Sequence, residues 1–438
     1  MPGPIVSASP RDTGPVVPPR AWLALFLLAF VYILNFLDRQ LLAILAKPIQ
    51  DDLGVTDGQL GRIGGLYFAL FYCVLAIPIG WLADRTNRVR ILSLACGLWS
   101  AATIACGFAA SYPQLAVARM AVGVGEAGGV PPSYAIISDL FPPNRRGTVL
   151  GIYNLGPPLG QALGVAFGAS IAAAYSWRDA FMSLGAIGVL MAGIVYLFVR
   201  EPERGALDAP PPEQRPGSSP AGFWATCKMF VSRPMLLLVS LACAATQFVT
   251  YAMLNFTTLF LMREKGMRLE DVAVYYALLV GLGIGGGIYA SGGLIDPLAP
   301  RSRRAYALLP AAGLGLAVPF FLLFVHALDW PLAMAFLTVP TVCNYFYLSP
   351  SVTLVQQSVR PDQRVLSGAL LLLIMNLVGL GLGPTWLGAA SDYFRTAYPA
   401  HRLEFAFYTL TPFYFVAIGL FLLLARSLGR EARSERAR

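Results

Sequence analysis

Apolar runs of membrane-crossing length follow one another along almost the whole chain, parted by short polar or basic joints. The first, "WLALFLLAFVYILNFLDRQLLAIL" (Trp22–Leu45), is long enough, at about 1.5 Å of rise per residue, to cross a hydrocarbon core of about 30 Å. The same reading predicts helical spans at roughly 22–46, 60–83, 90–110, 114–138, 147–174, 180–199, 235–261, 272–295, 305–325, 331–355, 365–391 and 403–425. Residues 1–20 are Pro-rich and polar and read as a tail, not a cleavable signal, so the first helix stays in the mature protein.

The pattern divides near the middle. "EPERGALDAPPPEQRPGSSPAG" (201–222) is rich in Pro, Gly and charge and reads as a flexible linker between bundles at 21–200 and 223–428. Six spans precede it and six follow, and 429–438 reads as a basic tail. The halves echo each other. Span 2 ends "GWLADR", with Gly80 four residues before Asp84, and span 8 ends "GGLIDP", with Gly292 four before Asp296. Span 5 contains "LGPPLG" and span 11 "LGPTWLG". The expected fold is all-α: twelve transmembrane helices in two pseudo-symmetric six-helix bundles, the repeat type that builds transporters with a site at the repeat interface.

Composition agrees with a bilayer as solvent. Only 13% of residues are charged and 57% are hydrophobic, whereas soluble domains carry about 25% charged residues. The net charge of +9 would suit nucleic acid, but the positives are scattered over short loops. With the N-terminus cytoplasmic, 22 of the 32 Lys and Arg fall on the cytoplasmic side and 8 outside, with Arg39 and Arg119 inside spans. That is the positive-inside bias, and it puts both termini in the cytoplasm. The six cysteines show no metal-type spacing and read as packing thiols. Asn255-Phe256-Thr257 is the only glycosylation match, and it lies within a span.

Candidate chemistry begins with "RMAVGVGEAGG" (Arg119–Gly129), which fits the G-x-G-x-x-G pattern of a dinucleotide-binding turn. Such a turn needs a strand before it and a helix after it. The stretch offers no strand boundary, so its glycines read as helix-packing residues. "GLGIGG" (Gly281–Gly286) is read the same way. The charges are another matter, because an ionisable residue inside a span costs at least about 2.5–3.5 kcal/mol and by default has a function. Asp38 lies about 24 Å from the cytoplasmic side, and Arg119 about 6 Å below the outer end of span 4. Both therefore reach one outer level of a core about 30 Å thick and can pair. Glu126 lies two turns further along span 4, on the same face as Arg119. Arg39, about 100° around the helix from Asp38, joins Asp38, Arg119 and Glu126 as a proton-coupling or substrate candidate and is expected to serve a different wall. A static ion pair that only fixes bundle geometry is the competing reading.

At these residues a resemblance emerges. "NFLDRQLLAILAKPIQDDLGVTDGQLG", "GWLADRTNRVRIL", "ARMAVGVGEAGGVPPSYAIISDLFPPNRRGTVLG" and "WRDAF" together resemble the Spinster-like branch of the major facilitator superfamily. The branch-specific match is concentrated in the first half. Gly80, Asp84, Arg85 and Arg88 look like the superfamily's cytoplasmic signature after helix 2. Gly156, Pro157 and Gly160 resemble the helix-5 motif common in antiporters. The second-half signature departs from the pattern, with Pro297 in place of the expected Arg.

The resemblance implies a secondary transporter working by alternating access. Asp38 and Glu126 are then candidate proton- or substrate-coupling carboxylates. Arg119 holds an anionic headgroup, or holds Asp38 when the site is empty; its movement to substrate would leave Asp38 to take up a proton. Asp38, Arg119 and Glu126 are expected to act as one coupled unit. Tyr32, Asn35, Tyr153, Asn154, Tyr251, Asn255, Asn344, Tyr345 and Asn376 are candidates to line the cavity, each equally readable as a satisfied helix–helix hydrogen bond. Asp84 is expected to gate the cytoplasmic side against the start of helix 11 near Arg364.

Spinster-like carriers are associated with sphingolipids and lysophospholipids, so the implied substrate is a lysophospholipid or sphingoid phosphate. A hydrophobic drug or an organic acid would suit the residues almost as well. A membrane-embedded lipid enzyme is the competing class. His326 and His401 are the only histidines, and no H-E-x-x-H or Walker motif is present. The expectation is a monomer without cofactor or metal, in the plasma (inner) membrane of a bacterium, whose partners are protons, a small amphiphile and the bilayer, not nucleic acid.

Overall fold

In a computed structural model, residues 17–205, 207, 223–360 and 363–436 are described, apart from the side chains of 84, 144, 365 and 431–436. All regular elements among the described residues are helical. Among them, ten helices are long and apolar enough to cross a membrane. Two further spans, the fourth and fifth, are each broken in the middle.

The first bundle comprises α1 (Pro19–Ile44), α2 (Asp57–Ala83), α3 (Arg88–Gly107), α4 (Tyr112–Glu126 and Val130–Leu140), α5 (Pro143–Tyr153 and Gly156–Ala174) and α6 (Trp177–Phe198). The second comprises α7 (Pro234–Glu264), α8 (Leu269–Leu298), α9 (Ala305–His326), α10 (Trp330–Cys343 and Leu348–Ser358), α11 (Leu366–Phe394) and α12 (Arg402–Arg430). α12 continues as helix to Arg436, so much of the stretch read as a basic tail is helical. The same pairs recur in both bundles: α1 packs on α5 and α3 on α6, as α7 packs on α11 and α9 on α12.

The breaks have a chemical cause. Proline lacks an N–H and its ring clashes with the carbonyl four residues back. Pro131 and Pro132 follow the break in α4, Pro157 and Pro158 follow that in α5, and Pro350 follows that in α10. These spans read as continuous from hydropathy alone, which cannot register a missing donor. α2 begins at Asp57, earlier than expected, because Thr56 and Gln59 form a reciprocal capping box. π-helical turns interrupt α2 (Ile63–Tyr67), α8 (Val272–Tyr276) and α11 (Asn376–Leu382). All three helices contribute to the seam between the bundles.

That seam closes at one end. On α2, a Cβ at Gly61 would stand 2.3 Å from the Pro384 carbonyl, and one at Gly65 2.7 Å from that of Gly381. Backbone meets backbone there, which only small residues allow. α5 and α8 also meet across the seam, where a Cβ at Gly281 would lie 2.8 Å from Ala162. Towards the end that carries the linker, Gly80, Gly147, Gly151 and Gly293 face open space. The bundles are sealed at the far end and parted at the linker end.

Candidate functional site

The four charged residues singled out on α1 and α4 come together as two ion pairs. The Arg119 guanidinium lies 3.3 Å from Asp38, and both side chains are 2% exposed. Thr103 of α3 donates to the other Asp38 oxygen at 2.8 Å. Arg39 donates to Glu126 at 2.7 Å, so it does not serve a separate wall. The cause is reach: Arg119 and Glu126 stand two turns apart on α4, and the long arm of Arg39 spans the offset that its 100° turn from Asp38 creates. The expected unit of three is thus a set of four. Removing any one member strands a buried charge, which costs about 3–5 kcal/mol.

Aromatic rings complete the wall. The Arg39 guanidinium lies 4.9 Å from the Phe36 ring, 5.1 Å from Phe68 and 4.7 Å from Tyr72, cation–π distances that stabilise a desolvated cation. Tyr251 approaches the same group from the second bundle. Glu126 Oε1 and Arg119 Nε have no hydrogen-bond partner among the described residues. A buried donor and a buried acceptor are therefore free for a ligand or a proton. Thr103, Phe68 and Tyr72 were not anticipated: each is a common residue in an apolar helix, and only packing brings it to the charges.

The polar candidates scatter. Tyr32 stacks on Tyr153 with ring centroids 4.5 Å apart. Asn154 accepts from Tyr134 and donates to the Leu150 carbonyl, making it a satisfied helix-end residue. Asn35 is buried with its oxygen unpaired. Asn255 donates to the Tyr251 carbonyl and lies against Gly64 across the seam. Asn376 opens the π turn of α11. Asn344 and Tyr345 line a small cavity within the second bundle, together with Met253, Leu254, Leu337 and Thr250. Asn344 donates to the Tyr414 hydroxyl at 2.9 Å.

The glycine fingerprint has a structural role. A Cβ at Gly123 would meet the Phe68 carbonyl at 2.8 Å, and one at Gly125 the Trp99 amide at 2.5 Å. These glycines seat α4 on α2 and α3. Gly156 lies against Tyr32, and a Cβ at Gly160 would be 2.5 Å from the Ile33 carbonyl. Gly164 and Gly168 continue the row against Leu37 and Leu41. Pro157, within this motif, opens the second half of α5.

At the sealed end is a cluster the sequence reading missed. Arg263 of α7 donates to Asp57 at 2.8 Å, Ser391 of α11 donates to it at 2.6 Å, and Arg402 of α12 comes within 3.3 Å. The Gly58 amide donates to Asp392 at 2.9 Å. Asp57 thus ties the first bundle to three helices of the second. The available signal was the capping box "TDGQ", which marks a helix start but not its partners.

At the parted end, the Asp84 side chain lies outside the described residues, so its expected contact near Arg364 does too. Arg85 stacks on Trp81 at 4.0 Å. Arg88 is not at the seam: it donates to Asp139 and to Glu201, each at 2.6 Å. The first linker residues are held by this clasp, since Glu201 also accepts from the Val89 amide and the Gly205 amide donates to Asp139.

The profile of the Major Facilitator Superfamily matches residues 28–384. An MFS-type efflux pump of Mycolicibacterium smegmatis is 33% identical over 385 residues, 86% of this chain and 85% of that one. A sphingosine-1-phosphate transporter of Danio rerio is 28% identical over 424 residues, 91% of this chain and 82% of the other. The crystal structure of a bacterial homolog to the human lysosomal transporter Spinster, inward-facing and unoccupied, superposes with a TM-score of 0.87 at 29% identity, covering 94% of this chain and 98% of that one. Its conformation agrees with the seam sealed at one end and parted at the other. The chain is a multi-pass membrane transporter and not an enzyme, and it belongs to the Spinster-like branch of the major facilitator superfamily.

Proposed function

We propose that the protein is a proton-coupled carrier of an amphiphilic, lipid-like substrate of the lysophospholipid or sphingoid phosphate class. The observation that carries this reading is the pair of ion pairs, Asp38–Arg119 and Arg39–Glu126, buried between α1 and α4 with a donor and an acceptor left open. An anionic headgroup that draws Arg119 away leaves Asp38 to take a proton, since a bare carboxylate in that setting is costly. Arg39, caged by aromatic rings beside the seam, relays the change to Glu126. The relative described as a sphingosine-1-phosphate transporter supports a phosphorylated amphiphile. A second reading, export of hydrophobic drugs by the same cycle, is favoured by the 33% identity to an efflux pump. Carriage of an organic acid by the same fold is the lesser variant.

We place the protein in a bacterial plasma membrane as a monomer, linker and both termini cytoplasmic, on the strength of the basic bias at that end. Purified protein in liposomes under an imposed pH gradient should move lysolipids or sphingoid phosphates from a panel that also holds drugs and organic acids. Transport of drugs alone would establish the second reading. Uptake indifferent to the gradient, or surviving in a well-folded variant with Asp38, Arg119 and Glu126 all neutralised, would sink the coupling.

The gate follows from the same cycle. Closing the parted end should bring Asp84 to the start of α11, where the helix dipole favours an anion by about 0.3–1 kcal/mol. Asp84→Asn should then shift the balance toward the inward-open state by a few-fold. An unchanged distance distribution between spin labels across the linker-end faces would remove the gate role.

A further inference from the structure

A basic cleft lies on the outer rim of the second bundle, away from the seam. Arg304, just before α9, and Arg426 and Arg430, one turn apart near the end of α12, line a space of about 350 Å³ with Leu308, Leu422 and Gly429. Gly429 leaves room for the arm: a Cβ there would stand 2.2 Å from Nε and Nη2 of Arg304, so the guanidinium lies directly over the glycine, beside the other two. Among the described residues, no carboxylate pairs with any of the three guanidinium groups. Three like charges held around one space repel each other and favour an anion.

The walls say which kind. Leu308 lies one turn beyond Arg304 and Leu422 one turn before Arg426, exposed by 45% and 43%. Further along the same helices, Leu316, Val416 and Phe415 are exposed by more than half, and Gly315 and Gly419 border open space. The basic mouth therefore stands beside exposed apolar faces of α9 and α12. A soluble anion would use only the mouth, whereas a phosphate carrying acyl chains uses both. The equivalent corner of the first bundle, where α3 begins and α6 ends, is neutralised from within: Arg88 is 4% exposed and bound to Asp139 and Glu201.

We propose that this cleft binds the headgroup of an anionic phospholipid from the leaflet on the linker side, separately from the transport path between the bundles. Guanidinium groups bind a phosphodiester through paired N–H donors, and basic pockets between helices on this face suit such headgroups.

Native mass spectrometry of the full chain, titrated with phosphatidylglycerol or phosphatidylcholine, tests it. Wild type should retain phosphatidylglycerol with about tenfold preference, equivalent to about 1.4 kcal/mol. Combined Arg304→Ala, Arg426→Ala and Arg430→Ala should abolish that preference, while Arg304→Lys, which keeps the charge but not the fork, should weaken it only in part. Should the triple variant fail to give a single elution peak, Arg426→Gln and Arg430→Gln carry the test separately. Wild-type preference in a folded variant would overturn the proposal. So would equal retention of the two lipids, or competition by free sn-glycerol 3-phosphate at matching concentration, which would mark a site for soluble phosphate.

Discussion

The two bundles share a helical plan and differ in their interiors. Asp38 stands 20 residues beyond the cap of α1, Pro18, and Met253 stands 20 beyond that of α7, Arg233. Glu126 stands 15 residues beyond Ser111 and Asn344 15 beyond Asp329, each at the break in its helix. Counted the same way, Arg39 answers to Leu254 and Arg119 to Leu337. Four charges in the first bundle thus become Met, Leu, Leu and a carboxamide in the second, and all four replacements line one small cavity. Symmetry of fold has not imposed symmetry of chemistry. One bundle holds groups that can exchange a proton, and the other offers an apolar wall with neutral hydrogen-bonding groups.

The largest expected effect sets Asp38 against Met253. Asp38→Asn leaves Arg119 buried without its counter-charge, and its melting temperature should fall by an amount corresponding to about 3–5 kcal/mol, with proton-driven transport lost. Met253→Leu keeps the volume and should cost less than about 1.5 kcal/mol, with coupling intact. If the two variants behaved alike in liposomes, the division of labour between bundles would be wrong.

A smaller contrast sets Glu126 against Asn344. Glu126→Gln should depress gradient-driven transport about tenfold, the effect of about 1.4 kcal/mol, while substrate still binds. Asn344→Leu removes one neutral hydrogen bond to Tyr414 and should cost about 0.5–1.5 kcal/mol, leaving the number of protons moved per substrate unchanged. A change in that ratio on altering Asn344, measured from reversal potentials, would bring the second bundle into the coupling path.

Much of the site was legible because charge inside an apolar span is conspicuous: Asp38, Arg39, Arg119 and Glu126 stand out in any hydropathy reading. Depth arithmetic also predicted the Asp38–Arg119 pair, since helical rise is fixed. It missed the Arg39–Glu126 pair, because the direction of a long side chain depends on what packs around it. Thr103, Phe68 and Tyr72 were hidden for a related reason, being ordinary residues in apolar helices.

The sequence by itself determined the all-helical fold of membrane-crossing spans in two bundles, because the cost of burying polar backbone in lipid leaves helices as almost the only choice. It also showed that no strand precedes the glycines of "GVGEAG", as a dinucleotide-binding turn requires. Tertiary structure decided where those glycines approach Phe68 and Trp99, which arginine meets which carboxylate, and how Asp57 gathers Arg263, Ser391 and Arg402 across the seam. These contacts join residues up to several hundred positions apart, and nothing in local periodicity encodes such distances. They follow only from which helix faces fit closely enough to exclude everything but hydrogen.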